Sequence, residues 1–224
     1  MAYKKSFETR KKILNVTKEL VLEKGWKDIS VRDIAERAGV KNPLLYYYFK
    51  NKQGIADYIL GTLILKTLDF AEKSVPLKED CMLSHFIYVS LYYRILLEEE
   101  LYQTLYMEST HPFDSPVLIV DDYDLNYMVT KQFDEILKNY QVDMNEDLLK
   151  AYTISAFSIA TSIFRSIISG NLNMGYREAM LFITRFWILS VGIDEKVFKE
   201  KLNKAIDFVM EIDLKEFTIT EEVE

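Results

Sequence analysis

The sequence predicts an all-α fold, and three observations lead to that prediction. Apolar residues recur at intervals of three and four along most of the 224 residues, which is the period of an amphipathic helix. Capping residues and glycines bound several of these segments. The sequence shows neither strand–helix alternation nor a glycine-rich phosphate loop or nucleophile elbow. We therefore predict helices throughout, and no enzyme, catalytic residue or cofactor.

Charge is distributed unevenly along the chain. The net charge is −7, but residues 1–55 hold 13 Lys and Arg against 6 Asp and Glu, a net of +7, and the remainder has a net of −14. A basic N-terminal quarter joined to an acidic remainder suggests a nucleic-acid-binding module attached to a part that does not touch nucleic acid. A chance cluster of solvated lysines is the alternative that charge alone leaves open.

Composition also bears on where the protein works. The single cysteine, Cys81, leaves no internal disulfide and suits a reducing compartment. The opening residues MAYKKSFETRKK lack the apolar stretch of a secretory signal. We expect no segment apolar enough to span a bilayer, because the best candidate, residues 154–170, is interrupted by Arg165. These features predict a soluble, cytoplasmic protein with no membrane partner.

The first two helices are marked by their ends. Apolar residues at helical spacing from Ile13 to Val21 predict the first helix, and Gly25 ends it. The sequence SVRD at residues 30–33 is a capping box that starts a short second helix, and Gly39 ends that helix.

A third helix is predicted at about residues 43–49. Asn42 is a good N-cap, and Pro43 is favoured at the first helical position. The run YYYF therefore lies on a helix, which divides it between two sides. One side, expected to be exposed, holds Pro43, Tyr46, Tyr47 and Lys50, and the other, expected to face the core, holds Leu45, Tyr48 and Phe49. Two short helices joined by AGVKN make a helix-turn-helix whose second helix fits the major groove of DNA.

The segment GWKDISVRDIAERAGVKNPLLYYYFKNK, within residues 10–55, resembles the DNA-binding signature of the TetR family of bacterial transcriptional regulators. The matching elements include Gly25-Trp26, the Ser30 cap, Ala38-Gly39-Val40 and Leu45-Tyr46. The resemblance implies an all-helical homodimer. Residues 1–55 would form a three-helix DNA-binding domain, and residues 56–224 a larger helical domain that binds a small ligand and dimerises.

The same resemblance implies where DNA would be contacted. Phosphates would be held at the start of the second helix and by tyrosines and a lysine around the third, and bases would face the N-terminal part of the third helix. Leu44 cannot donate a hydrogen bond, so sequence reading there would use methyl contact. Tyr48 suits the edge of the core equally well. The predicted DNA-binding residues are Ser30, Arg32, Lys41, Asn42, Pro43, Leu44, Tyr46, Tyr47, Tyr48 and Lys52.

The rest of the chain is predicted to be helical as well. Val75-Pro76 stops the fourth helix, STHPFDSP is a loop, and EFTITEEVE is an acidic end that we expect to fray. The helices are expected at residues 55–73, 78–108 as one or two helices, 116–140, 145–169, 174–191 and 195–211.

Two of these helices are apolar on more than one side, which predicts a homodimer. A helix that is apolar nearly all round must be covered on several sides. A two-fold four-helix bundle made by residues 145–169 and 174–191 of two subunits explains this width better than burial in one chain. The predicted interface residues are Ile159, Ile163, Phe164, Ile167, Phe186 and Trp187.

The middle of the chain is rich in aromatic residues, which predicts a pocket for a small molecule. Apolar walls with a few hydroxyl groups are typical of such pockets, although an ordinary core has the same composition. The expected ligand is aromatic or long and apolar, and Arg165 could pair with an anionic group. The predicted ligand-binding residues are Phe86, Tyr92, Tyr93, Tyr102, Tyr106, Tyr123, Tyr127, Phe133 and Arg165.

The mechanism that follows is repression by a dimer, released by an effector. Two recognition helices would enter successive major grooves of a pseudo-palindromic operator, and a ligand would favour a spacing of the heads that no longer fits. One alternative is a metal- or redox-responsive regulator, because Cys81 and His85 are four residues apart on one helix, although we assign no metal ligand. A DNA-binding protein without a ligand response is the other alternative.

Overall fold

The computed structural model describes residues 2–108, 119–120 and 122–218. In this part of the chain the fold is all-α, as predicted, with one pair of two-residue strands. The helices are α1 (Ala2–Lys24), α2 (Val31–Ala38), α3 (Asn42–Phe49), α4 (Lys52–Ser74), α5 (Leu77–Glu98), α6 (Glu100–Glu108), α7 (Leu125–Asn139), α8 (Glu146–Ile168), α9 (Tyr176–Ser190), α10 (Glu195–Met210) and α11 (Lys215–Thr218), and the strands are β1 (Ile119–Val120) and β2 (Tyr123–Asp124). We call α1–α3 the head and α5–α11 the body; α4 joins them.

The start and the end of α2 follow the local signals in the sequence. The Ser30 N–H donates to Asp33 Oδ2 (2.7 Å), and the Asp33 N–H donates to Ser30 Oγ (3.2 Å), which confirms the capping box. Gly39 closes the helix at φ 62°, a left-handed conformation that suits glycine. Ile34 of α2 and Leu45 of α3 are fully buried, so the head has its own apolar contacts.

The N-terminus of α3 differs from the prediction by one residue. Lys41 is the N-cap, without a side-chain cap bond, and Asn42 is the first helical residue. Assigning Asn42 as the N-cap was therefore wrong. The first turn of α3 is held by backbone hydrogen bonds, since the Leu44 and Leu45 N–H groups both donate to the Lys41 carbonyl. As a result, the exposed Asn42 amide is not used for capping.

The centre of the body is α5, which packs against α4, α7, α8 and α10. It is kinked at Asp80, whose φ of −153° and ψ of 88° are not helical. Asp80 Oδ1 accepts from the Leu83 N–H (3.0 Å) and so caps the part of α5 that follows. The other Asp80 oxygen pairs with Lys201 of α10. Because of this pair, the kink is joined directly to the helix that covers it.

The other helix predictions agree with the structure in most cases. The region from Lys78 to Glu108 forms two helices, α5 and α6. The exception is residues 116–140, since α7 begins only at Leu125, after β1 and β2 have paired antiparallel. The predicted loop at residues 109–116 lies outside the described residues. At the C-terminal end Phe217 is buried and its carbonyl accepts from the Tyr102 hydroxyl (3.1 Å), so the chain is not frayed at this residue; residues 219–224 of the predicted frayed end lie outside the described residues.

Helix α8 corrects another expectation. Among the described helices it is the one long and apolar enough, by length and composition, to cross a membrane, with a mean hydropathy of 1.3 over its most apolar window. Only 17% of that window is buried. The reason is that α7 and α9 cover part of α8 and leave Leu148 and Ile154 exposed. The uncovered face of α8 therefore carries exposed apolar side chains.

Candidate nucleic-acid interface and ligand pocket

Helix α3 presents the exposed face that its sequence predicts. Tyr47 is 79% exposed and Tyr46 49%, whereas Leu45 and Phe49 are buried at 0% and 4%. Pro43, Leu44 and Lys50 are exposed as well. The division of the aromatic run into two sides is therefore confirmed. The outer surface of α3 presents two phenols and two apolar side chains, and an exposed lysine, Lys50, directly follows the helix.

Tyr48 lies between the two sides. It is half-buried, and its hydroxyl donates to Ser6 Oγ of α1 (3.1 Å). Its ring meets the Tyr47 ring edge-on at 5.3 Å. These contacts hold α3 against α1 and support the exposed Tyr47 from behind. The predicted phosphate contact of Tyr48 stays a prediction.

The start of α2 lies on the same head. Ser30, Arg32 and Lys41 are exposed, and the Ser30 hydroxyl already serves the helix cap. Hydrogen bonds from Ser30 lower the pKa of Asp33, so this carboxylate stays charged at neutral pH. The exposed guanidinium and ammonium groups on this side are the ones that a phosphate could approach.

Lys52 has an intramolecular partner that the sequence did not suggest. Its ammonium donates to the Trp26 carbonyl and lies 4.4 Å from the centroid of the Trp26 ring. Partial burial lowers the pKa of Lys52, and the nearby carboxylate of Glu108 opposes that change. Glu108 also accepts from the Lys27 N–H (3.1 Å). The last residue of α6 therefore contacts the head beside Lys52.

Gly54 holds the junction between α3 and α4. A Cβ at this position would lie 2.1 Å from the Phe49 carbonyl oxygen, which is far inside van der Waals contact. The Gly54 N–H also donates to Asn51 Oδ1 (2.8 Å), which caps α4. The tight junction fixes α3 relative to α4.

The aromatic residues predicted to bind a ligand divide into separate groups. Tyr93 and Phe133 line a cavity of about 50 Å³ among α5, α7, α8 and α9. Tyr123 and Tyr127 are 53% and 63% exposed and line an open groove of about 1710 Å³. They therefore do not share one pocket with Tyr93 and Phe133.

The remaining members of the predicted group pack elsewhere in the interior. The Phe86 ring meets Phe198 of α10 at 5.9 Å, and Tyr102 donates to the Phe217 carbonyl. Arg165 Nη2 donates to the Tyr106 carbonyl (2.8 Å), and its guanidinium lies 5.5 Å from the centroid of the Tyr106 ring. Tyr92 is buried and its ring is 5.1 Å from that of Tyr93.

Cys81 and His85 do not face a common site. His85 Nδ1 is 3.2 Å from Gln132 Oε1 and lines the small cavity, whereas Cys81 lines the open groove and its Sγ lies 3.6 Å from Asn139 Nδ2. Burial lowers the pKa of His85 to about 4 and raises that of Cys81. In the described ranges we find no group of three or more His, Cys, Asp or Glu residues that could hold a metal ion.

The predicted dimer surface is exposed in part. Phe186 is 58% exposed, and Ile159, Ile163 and Ile167 are half-buried. Phe164 is fully buried, with its ring stacked on Tyr93 at 4.2 Å, so its assignment to the interface was wrong. The two apolar stripes of α8 face different neighbours, and periodicity alone could not tell which one faces inward. The Trp187 side chain lies outside the described residues.

Two further exposed apolar side chains on these helices were not among the predicted interface residues. Ile154 and Phe182 are 63% and 52% exposed on α8 and α9, the same two helices that carry the predicted interface. An aliphatic or aromatic residue at such exposure is a better signal for a partner surface than its position in an apolar stripe.

The N-terminal part of the chain is similar in sequence to known regulators. Residues 13–59 match the family model described as "Bacterial regulatory proteins, tetR family". The chain is 36% identical over 53 residues to an uncharacterized HTH-type transcriptional regulator, YvkB, of Bacillus subtilis (strain 168), and 33% identical over 55 residues to the tetracycline repressor protein class C of Escherichia coli. These segments are 24% and 25% of this chain and 28% and 25% of those proteins, so it spans about a quarter of the relatives' length.

Solved structures resemble the chain over nearly its whole length. RolR in complex with resorcinol has a TM-score of 0.61 at 14% identity, over 94% of this chain and 97% of that one. A gamma-butyrolactone receptor described as an ArpA-like protein has a TM-score of 0.50 at 13% identity, over 93% and 100%. At these identities the likeness shows a shared fold.

Proposed function

The N-terminal module of this chain belongs to the TetR family of bacterial regulators, and from that premise we propose that the protein is a homodimeric DNA-binding transcriptional repressor released by a small molecule. The proposal rests above all on the outer face of α3, where Tyr47 is 79% exposed beside Leu44 and Tyr46. Exposed aromatic side chains between lysines do not stabilise the fold of a soluble protein. They can, however, contact bases and phosphates when the helix lies in a DNA groove.

The side chains on α3 suggest how bases would be read. Asn42 would pair with adenine, and Leu44 and Tyr47 would pack on thymine methyl groups. The predicted phosphate contacts from Arg32 and Lys41 would orient the head without reading sequence. The net charge of +7 on residues 1–55 attracts the duplex, and the acidic remainder must point away from it.

A dimer explains the exposed apolar face of α8 and α9. Ile154, Phe182 and Phe186 would be covered by the same residues of a second subunit around a two-fold axis. This interface accounts for the apolar character of α8 without a membrane, and we propose a soluble, cytoplasmic protein. The two-fold axis would place the recognition helices in successive major grooves, about 34–36 Å apart.

The effector would bind in the body. The fold is shared with RolR, whose structure holds resorcinol, and with a gamma-butyrolactone receptor, so small organic molecules are ligands of proteins with this architecture. Binding would favour one of two spacings of the heads. A DNA-binding protein without a ligand response is the alternative, and the same experiment separates the two.

Selection of bound duplexes from a random library tests the proposal with the full-length protein. We expect a pseudo-palindromic site, and an affinity that falls with salt with a log–log slope on the order of 6–10. Asn42→Ala should leave that slope nearly unchanged and relax the preference at one base pair in each half-site. No enrichment of any sequence would refute the regulator proposal. Enrichment without release by any metabolite would leave a DNA-binding protein that does not respond to a ligand.

A further inference from the structure

The cavity among α5, α7, α8 and α9 is lined by uncharged side chains. Val89 of α5, Phe133 of α7, Phe157 of α8 and Ile183 of α9 form apolar walls. None of the described residues that line it is Asp, Glu, Lys or Arg. Arg165, on the same helix α8, donates to the Tyr106 carbonyl, has its guanidinium over the Tyr106 ring, and does not line the cavity.

A buried phenol on the wall of this cavity lacks a hydrogen-bond partner. Tyr93 is 2% exposed, and no described residue pairs with its hydroxyl. Its ring is stacked on Phe164, 4.2 Å away and 6° from parallel, so the hydroxyl cannot swing out to solvent. The hydroxyls of Tyr88 and Tyr92 on the same helix are also buried without partners among the described residues. A buried hydroxyl without a hydrogen-bond partner lowers the stability of the fold. In native proteins such a group usually pairs with a ligand or an ordered water.

The polar side chains that line the cavity favour an uncharged occupant. Burial lowers the pKa of His85 to about 4, so this lining imidazole is uncharged at neutral pH. Burial also raises the pKa of Tyr93, which keeps the phenol protonated and able to donate. The Thr153 and Thr184 hydroxyls donate to the Leu149 and Met180 carbonyls, but their oxygens can still accept a hydrogen bond from an occupant. An ion here would have no opposite charge, which is the costly case for a buried charge.

The volume limits the size of that occupant. A cavity of about 50 Å³ exceeds the ~10–15 Å³ that one water needs, and it is smaller than the ~150 Å³ that accommodates benzene in an engineered protein. A ring-sized ligand would therefore enter with some widening of the walls. The α8 wall includes the small side chains of Ala156 and Ala160, which project little into the cavity. A small outward shift of α8 would therefore enlarge it.

We propose that this cavity is the effector site and that it selects a compact, uncharged organic molecule whose hydroxyl or carbonyl group hydrogen-bonds to the Tyr93 hydroxyl. The inference rests on the proposed function only in calling the occupant an effector, because binding can be measured without DNA. Apolar walls determine the shape of the ligand, and the absence of charge among the described lining residues excludes carboxylates and amines. The Tyr93 hydroxyl fixes the orientation.

Four probes of similar size test the proposal by calorimetry on the full-length protein: phenol, toluene, benzoate and benzylamine. We expect phenol to bind at millimolar concentration, toluene more weakly, and the two ions not at all. Tyr93→Phe should weaken phenol binding roughly tenfold, the loss of one neutral hydrogen bond, and leave toluene binding unchanged. It should also raise the melting temperature of the free protein, since an unpaired buried hydroxyl is removed.

Tyr176→Phe is the matched control. Tyr176 is half-buried and its hydroxyl donates to the Ser90 carbonyl (2.6 Å), outside the cavity, so this change should lower the melting temperature and leave phenol binding unchanged. Binding of benzoate or benzylamine as strong as that of phenol would overturn the proposal, and so would phenol binding unaffected by Tyr93→Phe. If no probe binds, the cavity is a water site and the proposal is wrong. Phenol binding without any effect on DNA affinity would instead refute the effector role in the proposed function.

Discussion

Replacing Tyr47 by Ala separates DNA recognition from folding, because this side chain is 79% exposed on α3. Its main contact is the edge-on meeting with the Tyr48 ring at 5.3 Å, and exposed aromatic pairs contribute at the low end of about 0.5–1.5 kcal/mol. We therefore expect Tyr47→Ala to lower the free energy of unfolding by less than about 1 kcal/mol. Loss of the contacts to one base pair costs about 1–3 kcal/mol of binding, so two half-sites together should lose at least roughly 25-fold in affinity.

Phe49→Ala is the control on the buried side of the same helix. Phe49 is 4% exposed and its ring meets the Tyr58 ring at 5.6 Å, so truncation should lower the free energy of unfolding by about 3–5 kcal/mol. Urea unfolding measures the stability of both variants, and fluorescence anisotropy with the selected operator measures their affinity. Tyr47→Phe keeps the ring and removes the hydroxyl, so it shows which of the two contacts DNA.

Two results would refute this reasoning. A loss of stability in Tyr47→Ala as large as in Phe49→Ala would mean that Tyr47 belongs to the core. A stable Tyr47→Ala variant with unchanged operator affinity would mean that the exposed face of α3 is not the recognition surface.

Four further predictions follow from individual contacts. Lys52→Ala should reduce the salt slope of DNA binding by about 2 per dimer and weaken all sequences alike; an altered base preference would show that its role is misassigned. Phe186→Glu should dissociate the dimer in sedimentation, whereas Leu22→Glu, at a similarly exposed position on α1, should not. Gly54→Ala should gain about 1 kcal/mol of stability from helix propensity but lose more through the clash of its Cβ with the Phe49 carbonyl. We therefore expect a lower free energy of unfolding in urea and weaker DNA binding. Because burial lowers the pKa of His85 to about 4, the unfolded chain takes up the proton first, and about 3 kcal/mol of stability should be lost between pH 6.5 and 4; His85→Gln should show a flatter profile.

Local signals in the sequence predicted the head well. The capping box of Ser30 and Asp33, the glycine that ends α2 and the two sides of α3 all depend on residues within four positions of one another. Such interactions form inside one helix or one turn, and they need no knowledge of the rest of the fold. The error at Asn42, which is one residue inside α3, is of the size expected for helix ends.

Tertiary structure alone decided which helix faces are covered and which aromatic residues meet. Phe164 and Ile154 both lie on apolar stripes of α8, yet one is stacked on Tyr93 and the other is exposed. Glu108 reaches the Lys27 N–H across 81 positions of sequence. Periodicity along a helix shows how many apolar faces it has, but the neighbours of each face come from distant parts of the chain. The sequence by itself therefore determined most of the helices, the head and the exposed face of α3, and the packing of α5 among its neighbours determined the cavity beside Tyr93.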